Sequence, residues 1–218
     1  MVKLNFDVLR AAAVTTDPFP HFLAQGALSQ ADVAAAIKDF PRLDMAGLFL
    51  PEAARYGPAF AALLDIMRGP ELRATVAEKL QVDLADRPTM VTVRACAQAK
   101  DGRIHADSKF KLATVLLYLN EPWEADGGRL RLLRSPTDLE DYVGEVPPHG
   151  GTLVCFKVTP NSWHGHKPFV GPRRYVMLNY CQDESVRNGE EARHRMSGRL
   201  KKAKRLFGVG KVGAASHG

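Results

Sequence analysis

The stretch IHADSKFKLATVLLYLN, residues 104–120, joins a His-x-Asp pair to a run of β-forming residues. The run at 112–119 is rich in apolar, β-branched and aromatic side chains, a composition that is typical of strands. The period of two in a strand places Thr114, Leu116 and Tyr118 on one face. A buried tyrosine needs a hydrogen-bond partner for its hydroxyl. Two kinds of partner are possible for Tyr118: a backbone carbonyl of the core, or a carboxylate held inside the fold.

His105 and Asp107 form one part of a candidate metal site. On extended backbone their side chains lie on the same face. One further imidazole, for which His164 is available, would place two nitrogens and one carboxylate on one side of a metal and leave three positions open, as in non-haem Fe(II) sites. Because His-x-Asp pairs also occur by chance, the surrounding sequence has to decide whether this one has a function.

The segments outside this stretch predict an α+β domain. Ser29 is a good N-cap for an Ala-rich helix, and proline in the first turn begins two more helices at 58–67 and 70–80. Short β-rich runs separated by turn residues follow at 90–94, 112–119, 129–133, 151–156 and 174–180. Helices followed by many short strands predict helices that buttress an antiparallel sandwich or barrel.

The net charge of +6 over 218 residues belongs to one end of the chain. Residues 192–218 contain eight Lys or Arg and no acid, so the rest of the chain is close to neutral. We expect a weakly helical basic tail whose last ten residues are disordered. A solvated extension, a contact with an anionic partner such as nucleic acid or a membrane surface, and a lid over an acidic substrate are all open interpretations of this tail.

The cysteines and the hydropathy pattern predict a cytoplasmic protein. No apolar run approaches the roughly 20 residues that span a bilayer, and the N-terminus lacks the apolar region of a secretory signal. Cys96, Cys155 and Cys181 are odd in number and widely spaced in apolar runs. This pattern predicts buried thiols in a reducing compartment and no structural disulfide.

The segment NSWHGHKPFVGPRRYVML, residues 161–178, supplies a second group of polar residues. It contains His164, a Gly-Pro bend, and Arg173 at the start of a β-rich run. An arginine that points into a barrel is a poor core residue unless it meets an anion. Its guanidinium matches a carboxylate through two parallel hydrogen bonds, which indicates an acidic co-substrate.

These residues together resemble the 2-oxoglutarate- and Fe(II)-dependent dioxygenases, especially the prolyl-4-hydroxylase-like branch. The pieces that match are His105-x-Asp107, Thr114-x-x-x-Tyr118-Leu119-Asn120, Trp123, Gly127-Gly128-x-Leu130, and His164 followed nine residues later by Arg173. The PFPHF segment at 18–22 is also similar to the beginning of this family's domain, and the resemblance covers roughly 15–183.

The resemblance implies a double-stranded β-helix, a jelly-roll or cupin-like barrel, buttressed by N-terminal helices. We expect a single domain at 1–191, with a helical part at 15–85 and a jelly-roll core at 88–183, followed by the tail at 192–218. The activity implied is hydroxylation of a small molecule, a sugar or a protein side chain, coupled to decarboxylation of 2-oxoglutarate to succinate and CO₂. Fe(II), 2-oxoglutarate and O₂ would take part, with ascorbate as a reductant.

Carried over residue by residue, the resemblance implies two groups of site residues. Three would bind Fe(II): His105, Asp107 and His164. Four would hold 2-oxoglutarate: Arg173 and Tyr118 at its distal carboxylate, with Thr114 and Leu130 lining its pocket. His166 and Arg174 are alternatives to His164 and Arg173, but the nine-residue spacing favours the first pair.

One departure from the family bears on the substrate. The prolyl-hydroxylase branch often has a tyrosine on the strand before His-x-Asp, and the run at 94–98 offers none. Arg94 and Gln98 are polar residues there, and either a substrate contact or a solvated strand edge would explain them. The loop at 134–150 is expected to border the mouth of the site. A non-oxidative metal-binding isomerase or sensor of cupin-like fold is the alternative function.

Overall fold

Nine strands form two antiparallel sheets within residues 2–43 and 45–206, which the computed structural model describes. In chain order the strands are β1 (Val14–Thr15), β2 (His21–Ala24), β3 (Thr89–Ala97), β4 (Lys111–Tyr118), β5 (Leu130–Leu133), β6 (Tyr142–Val146), β7 (Leu153–Lys157), β8 (His164–Gly165) and β9 (Gly171–Cys181). The larger sheet has the order β1-β2-β7-β4-β9-β3, and the smaller one has the order β6-β5-β8.

The two faces of the larger sheet bury different sets of side chains. On one face, alternate residues such as Leu116 of β4 and Met177 of β9 pack with Leu130 and Leu132 of β5, so the two sheets share a core. On the other face, Val115 and its neighbours pack against the N-terminal helices. The predicted α+β jelly-roll-type fold is confirmed as two facing sheets, and the described strands do not close into a barrel.

Within the described residues, four α-helices and a short 3₁₀ helix (Pro51–Ala53) precede β3: α1 (Phe6–Ala11), α2 (Gln30–Lys38), α3 (Pro58–Arg68) and α4 (Pro70–Leu80). The three predicted helices are confirmed. Ser29 caps α2 as predicted, because its hydroxyl accepts a hydrogen bond of 3.1 Å from the backbone N–H of Asp32. The sequence did not predict α1, a helix of six residues in which Leu9 is the buried side chain.

The last described element is helix α5 (Glu184–Leu206), which contacts β3 and β9. It continues through position 191, so the expected boundary between domain and tail falls inside a helix. The last ten residues, for which we expect disorder, lie outside the described part of the chain. No helix of the described residues is long and apolar enough to cross a membrane.

Two further expectations concern the loop at 134–150 and the cysteines. The loop contains β6, which pairs with β5, so that part of the segment is a sheet edge. The three cysteines are free. Cys155 and Cys181 are fully buried, as expected, whereas Cys96 is half-buried. Burial raises the pKa of the Cys155 thiol and raises that of Cys181 to about 11.

Candidate metal centre

His105, Asp107 and His164 come together in a cavity that is also lined by residues of both sheets. The segment containing His105 pairs with β8 through a single antiparallel bridge, with backbone hydrogen bonds of 3.0 and 2.9 Å between His105 and His164. This pairing sets the two imidazoles side by side, with ring centroids 4.3 Å apart. One nitrogen from each imidazole and one oxygen of Asp107 lie within 4.8 Å of one another.

In both imidazoles a hydrogen bond at Nδ1 leaves Nε2 as the nitrogen that is available to a metal. The Nδ1 of His105 lies 2.9 Å from the carbonyl oxygen of Arg103, and the Nδ1 of His164 lies 2.9 Å from that of Ser162. A carbonyl can only accept, so each Nδ1 carries the proton and donates. Each Nε2 therefore has a free lone pair, which is the form that binds a metal. Two imidazole nitrogens and a carboxylate suit Fe(II).

The Asp107 carboxylate is held by two side chains of β4. The Thr114 hydroxyl donates to its Oδ2 at 2.6 Å, and the Lys111 ammonium lies 3.0 Å from its Oδ1. The Asn179 amide donates to the Thr114 hydroxyl oxygen at 2.8 Å, which leaves the hydroxyl hydrogen for Asp107. Burial raises the pKa of Asp107, but the charge of Lys111 and these hydrogen bonds outweigh it, so the pKa is lowered and the carboxylate is ionised.

Exposure differs among the three residues. His105 is exposed, Asp107 is half-buried and His164 is buried. Burial, together with the neighbouring His105, lowers the pKa of His164 to about 4, so its imidazole is neutral at pH 7. The group is thus open to solvent on the His105 side and closed on the His164 side.

Arg173 is a buried cation in the same cavity as the three residues. It lies on β9, is 3% exposed and lines a cavity of about 160 Å³ together with His105, Asp107 and His164. Its Nε donates to the Gly128 carbonyl at 2.8 Å, and its Nη2 lies 3.4 Å from the Tyr118 hydroxyl. Among the described residues no Asp or Glu pairs with it. A buried guanidinium without a carboxylate has spare donors for an anion.

The other predicted co-substrate residues fall into two groups. Thr114 and Leu130 line the cavity, although the Thr114 hydroxyl is directed to Asp107. Tyr118 is fully buried and contacts Arg173 and, edge to face, Tyr175. Its placement is therefore next to the guanidinium rather than on the wall of the cavity.

The two alternative residues are placed differently from each other. The side chain of Arg174 lines a groove beside α2 on the opposite face of β9 and does not reach the cavity. His166 is buried and does line the cavity, but it is not part of the group of possible metal ligands. A side chain at Gly102, where φ is +86°, would overlap the His166 ring, so this close approach requires glycine.

Sequence reasoning missed Lys111, Asp101 and Tyr175 and left Arg94 open. Arg94 lines the cavity, forms an ion pair with Asp101 and donates from its Nε to the Tyr175 hydroxyl at 3.0 Å. Tyr175 is 81 residues away from Arg94, so no local motif could have revealed this pairing. Lys111 stands at the start of a strand, where the sequence alone does not distinguish a lysine of the site from one that is exposed to solvent.

Residues 93–182 match the family model of the 2OG-Fe(II) oxygenase superfamily. The chain contains a 2OG-Fe(II) oxygenase domain. The resemblance to the 2-oxoglutarate- and Fe(II)-dependent oxygenases that the sequence motifs indicated is confirmed over these residues. None of the curated proteins is significantly similar to it in sequence.

Solved structures share the fold of this oxygenase at low sequence identity. A prolyl-4-hydroxylase from Pseudomonas putida aligns with a TM-score of 0.57 and 22% identity, over 81% of this chain and 90% of that chain. The 2OG complex of a viral collagen prolyl hydroxylase from Paramecium Bursaria Chlorella virus-1 aligns with a TM-score of 0.51 and 16% identity, over 75% and 96%. HygX from Streptomyces hygroscopicus, with nickel and 2-oxoglutarate bound, gives 0.51 and 16% over 74% and 81%.

Proposed function

We propose that the oxygenase hydroxylates a substrate, which is a small molecule, a sugar or a protein side chain, at a centre formed by His105, Asp107 and His164, which would hold Fe(II). Bound there, the iron supplies activation of O₂ and oxidative decarboxylation of 2-oxoglutarate to succinate and CO₂. Arg173 is proposed to bind the distal carboxylate of 2-oxoglutarate. The observation that carries this assignment is a buried guanidinium, without an acidic partner among the described residues, in the same cavity as the three ligands.

The protein's own residues have positioning roles in this proposal. Ser162 and Arg103 fix the imidazole tautomers through their carbonyls, while Thr114 and Lys111 orient the Asp107 carboxylate. The Gly128 carbonyl and the Tyr118 hydroxyl accept from Nε and Nη2 of Arg173, and the guanidinium has further N–H groups to donate to a carboxylate. A plain metal-binding isomerase or sensor has no use for this buried cation, and the arrangement therefore favours the oxygenase.

The test is an anaerobic titration of the protein with Fe(II) and 2-oxoglutarate. A chelate of the 2-oxo acid on the iron gives a weak visible charge-transfer band, which we expect in the wild type and not in Asp107→Ala. A missing band in the wild type, or one that survives Asp107→Ala, would refute the assignment. Succinate release in air, measured against a panel of substrates, then reports turnover.

We further propose a reducing, cytoplasmic location, supported by three free cysteines. An anionic partner is proposed for the basic residues of 192–218, on the strength of their charge alone. Binding through this segment should weaken steeply with salt and should be lost on deletion of 192–218. Binding to a polyanion such as heparin that is independent of salt or of the deletion would exclude this role.

A further inference from the structure

The charged side chains that line the cavity do not balance. Of the described side chains there, three are cations and two are anions: Arg94, Lys111 and Arg173, with Asp101 and Asp107. A metal-ligating imidazole is neutral, so His164 adds no charge to this balance. A metal-ligating His105 is neutral as well. Among the described residues, these arginine, lysine and aspartate side chains together carry one net positive charge.

The proposed occupants do not remove this charge. Fe(II) brings two positive charges and 2-oxoglutarate brings two negative ones, so together they are neutral. One positive charge would remain among largely buried side chains, where an uncompensated ion is costly.

Pairing the charges one by one identifies the cation that remains. Arg94 is matched by Asp101, since both are about one-eighth exposed and form an ion pair. Arg173 is matched by the distal carboxylate of 2-oxoglutarate. Lys111 is matched by Asp107, its one ion-pair partner among the described residues, at 3.0 Å. When Asp107 binds Fe(II), its charge is compensated by the metal and no longer by Lys111. The Lys111 side chain, which is 10% exposed, then lies beside a divalent cation without a counter-ion.

We propose that the primary substrate is a small carboxylic acid whose single carboxylate pairs with Lys111. This inference rests on the proposed function, because it assumes both occupants. A monoanion restores neutrality, whereas a phosphate monoester carries about −1.5 to −2 at pH 7 and would overcompensate. The cavity of about 160 Å³ is small for a ligand site, which limits the part of the substrate that lies inside it.

The rest of the substrate has an adjoining groove. A second cavity of about 290 Å³ shares Asp101, Gly102 and His166 with the first one. Its other lining residues are the apolar Ala99, Ile104, Leu139 and Pro168 and the cations Lys100 and Arg103, so it offers both apolar contacts and positive charge. This arrangement fits an acid with a short apolar substituent.

The test uses protein loaded with Mn(II) and 2-oxoglutarate, which cannot turn over. The probes are two pairs, each of a carboxylate and its neutral amide: butyrate with butyramide, and phenylacetate with phenylacetamide. Broadening of the probe protons by Mn(II) in NMR spectra reports binding near the metal. We expect the acids to bind about tenfold or more tightly than their amides, in line with a charge-assisted hydrogen bond. Lys111→Met should abolish this preference and Lys111→Arg should retain it.

Controls separate this proposal from the one on which it rests. Lys109→Met removes an exposed lysine outside the cavity and should leave the preference unchanged. Affinity for 2-oxoglutarate is measured in the same samples.

Equal binding of acids and amides, or a preference that survives Lys111→Met, overturns the inference while the oxygenase assignment stands. A loss of 2-oxoglutarate affinity in Lys111→Met as large as in Arg173→Lys would assign Lys111 to the co-substrate and would also overturn it. Failure of the wild type to bind 2-oxoglutarate refutes the proposed function instead.

Discussion

The orientation of the Thr114 hydroxyl is fixed by two hydrogen bonds. Its oxygen accepts from Asn179 and its hydrogen goes to Asp107 Oδ2. The sequence motif predicted only that Thr114 lines the co-substrate pocket, because a motif does not record which partner a side chain meets. The structure adds that this residue positions a proposed metal ligand.

Replacement of Thr114 by valine keeps the shape and removes the hydrogen bond to Asp107. We expect Thr114→Val to weaken Fe(II) or Co(II) affinity by about 10- to 100-fold, the usual effect of losing a hydrogen bond to a metal ligand. Thr114→Ser should retain the affinity. The measurement is metal competition with a chromophoric chelator.

Thr92 provides a matched control for this experiment. It is buried in β3 of the same sheet, but its hydroxyl has no hydrogen-bond partner among the described residues. Thr92→Val should therefore leave metal affinity unchanged. An equal loss in both valine variants would show that the effect comes from the sheet and not from Asp107.

Arg173 and Arg174 are neighbours on β9 with opposite orientations. Arg173→Lys replaces a planar fork by a point charge, so the dissociation constant of 2-oxoglutarate should rise about tenfold or more. Arg174→Lys is the control, since its side chain lies on the other face. Calorimetric titration of Mn(II)-loaded protein with 2-oxoglutarate measures both. A larger effect at Arg174 would reverse the assignment.

At the level of elements, prediction succeeded where a pattern of apolar residues was strong. The apolar positions of α3, Phe60, Leu63, Leu64 and Met67, are all buried, as the helical spacing requires. Helix α1 and strand β6 escaped prediction because they bury little: Leu9 alone in α1 and Val146 alone in β6. Elements stabilised chiefly by backbone pairing or by one contact leave little trace in the sequence.

The helix α3 also offers a direct test of the buried core. Leu63 is fully buried, so Leu63→Ala should lower the free energy of unfolding by about 2–5 kcal/mol. The control is Asp65→Ala on the exposed face of the same helix, for which a change within about 0.5 kcal/mol is expected. Denaturant unfolding monitored by circular dichroism distinguishes the two. Similar values for both variants would contradict the packing of α3.

The site shows the same division between local and distant information. His105, Asp107, His164 and Arg173 could be chosen from the sequence, because the spacing between them is typical of the family. Asp101, Lys111 and Tyr175 could not, and Arg94 stayed open, because their significance depends on contacts that exist only after folding.

For the molecule as a whole, the reactivity of the three cysteine thiols tests how tightly the fold is packed. The thiolate is the reactive species, so a raised pKa together with burial should protect Cys155 and Cys181 from alkylation at about pH 8. Cys96 is half-buried and should react first. Mass spectrometry after iodoacetamide treatment should find at most one modification in the native protein and three in concentrated guanidinium. Rapid modification of Cys155 in the native protein would contradict the fold.

The placement of the candidate ligands on both sheets has a mechanical consequence. His164 belongs to the smaller sheet, whereas Arg173 and the side chains that hold Asp107 belong to the larger one. Metal and dicarboxylate bound together would act as a cross-link that opposes separation of the sheets.

A cross-link of this kind predicts a rise in thermal midpoint with saturating Mn(II) and 2-oxoglutarate. The gain is about 2.7 kcal/mol when the ligand is at 100 times its dissociation constant. Asp107→Ala should not show it, and differential scanning calorimetry measures both. An unchanged midpoint in the wild type would argue against this linkage. The loaded oxygenase should therefore be not only the active form but also the more heat-resistant and protease-resistant one.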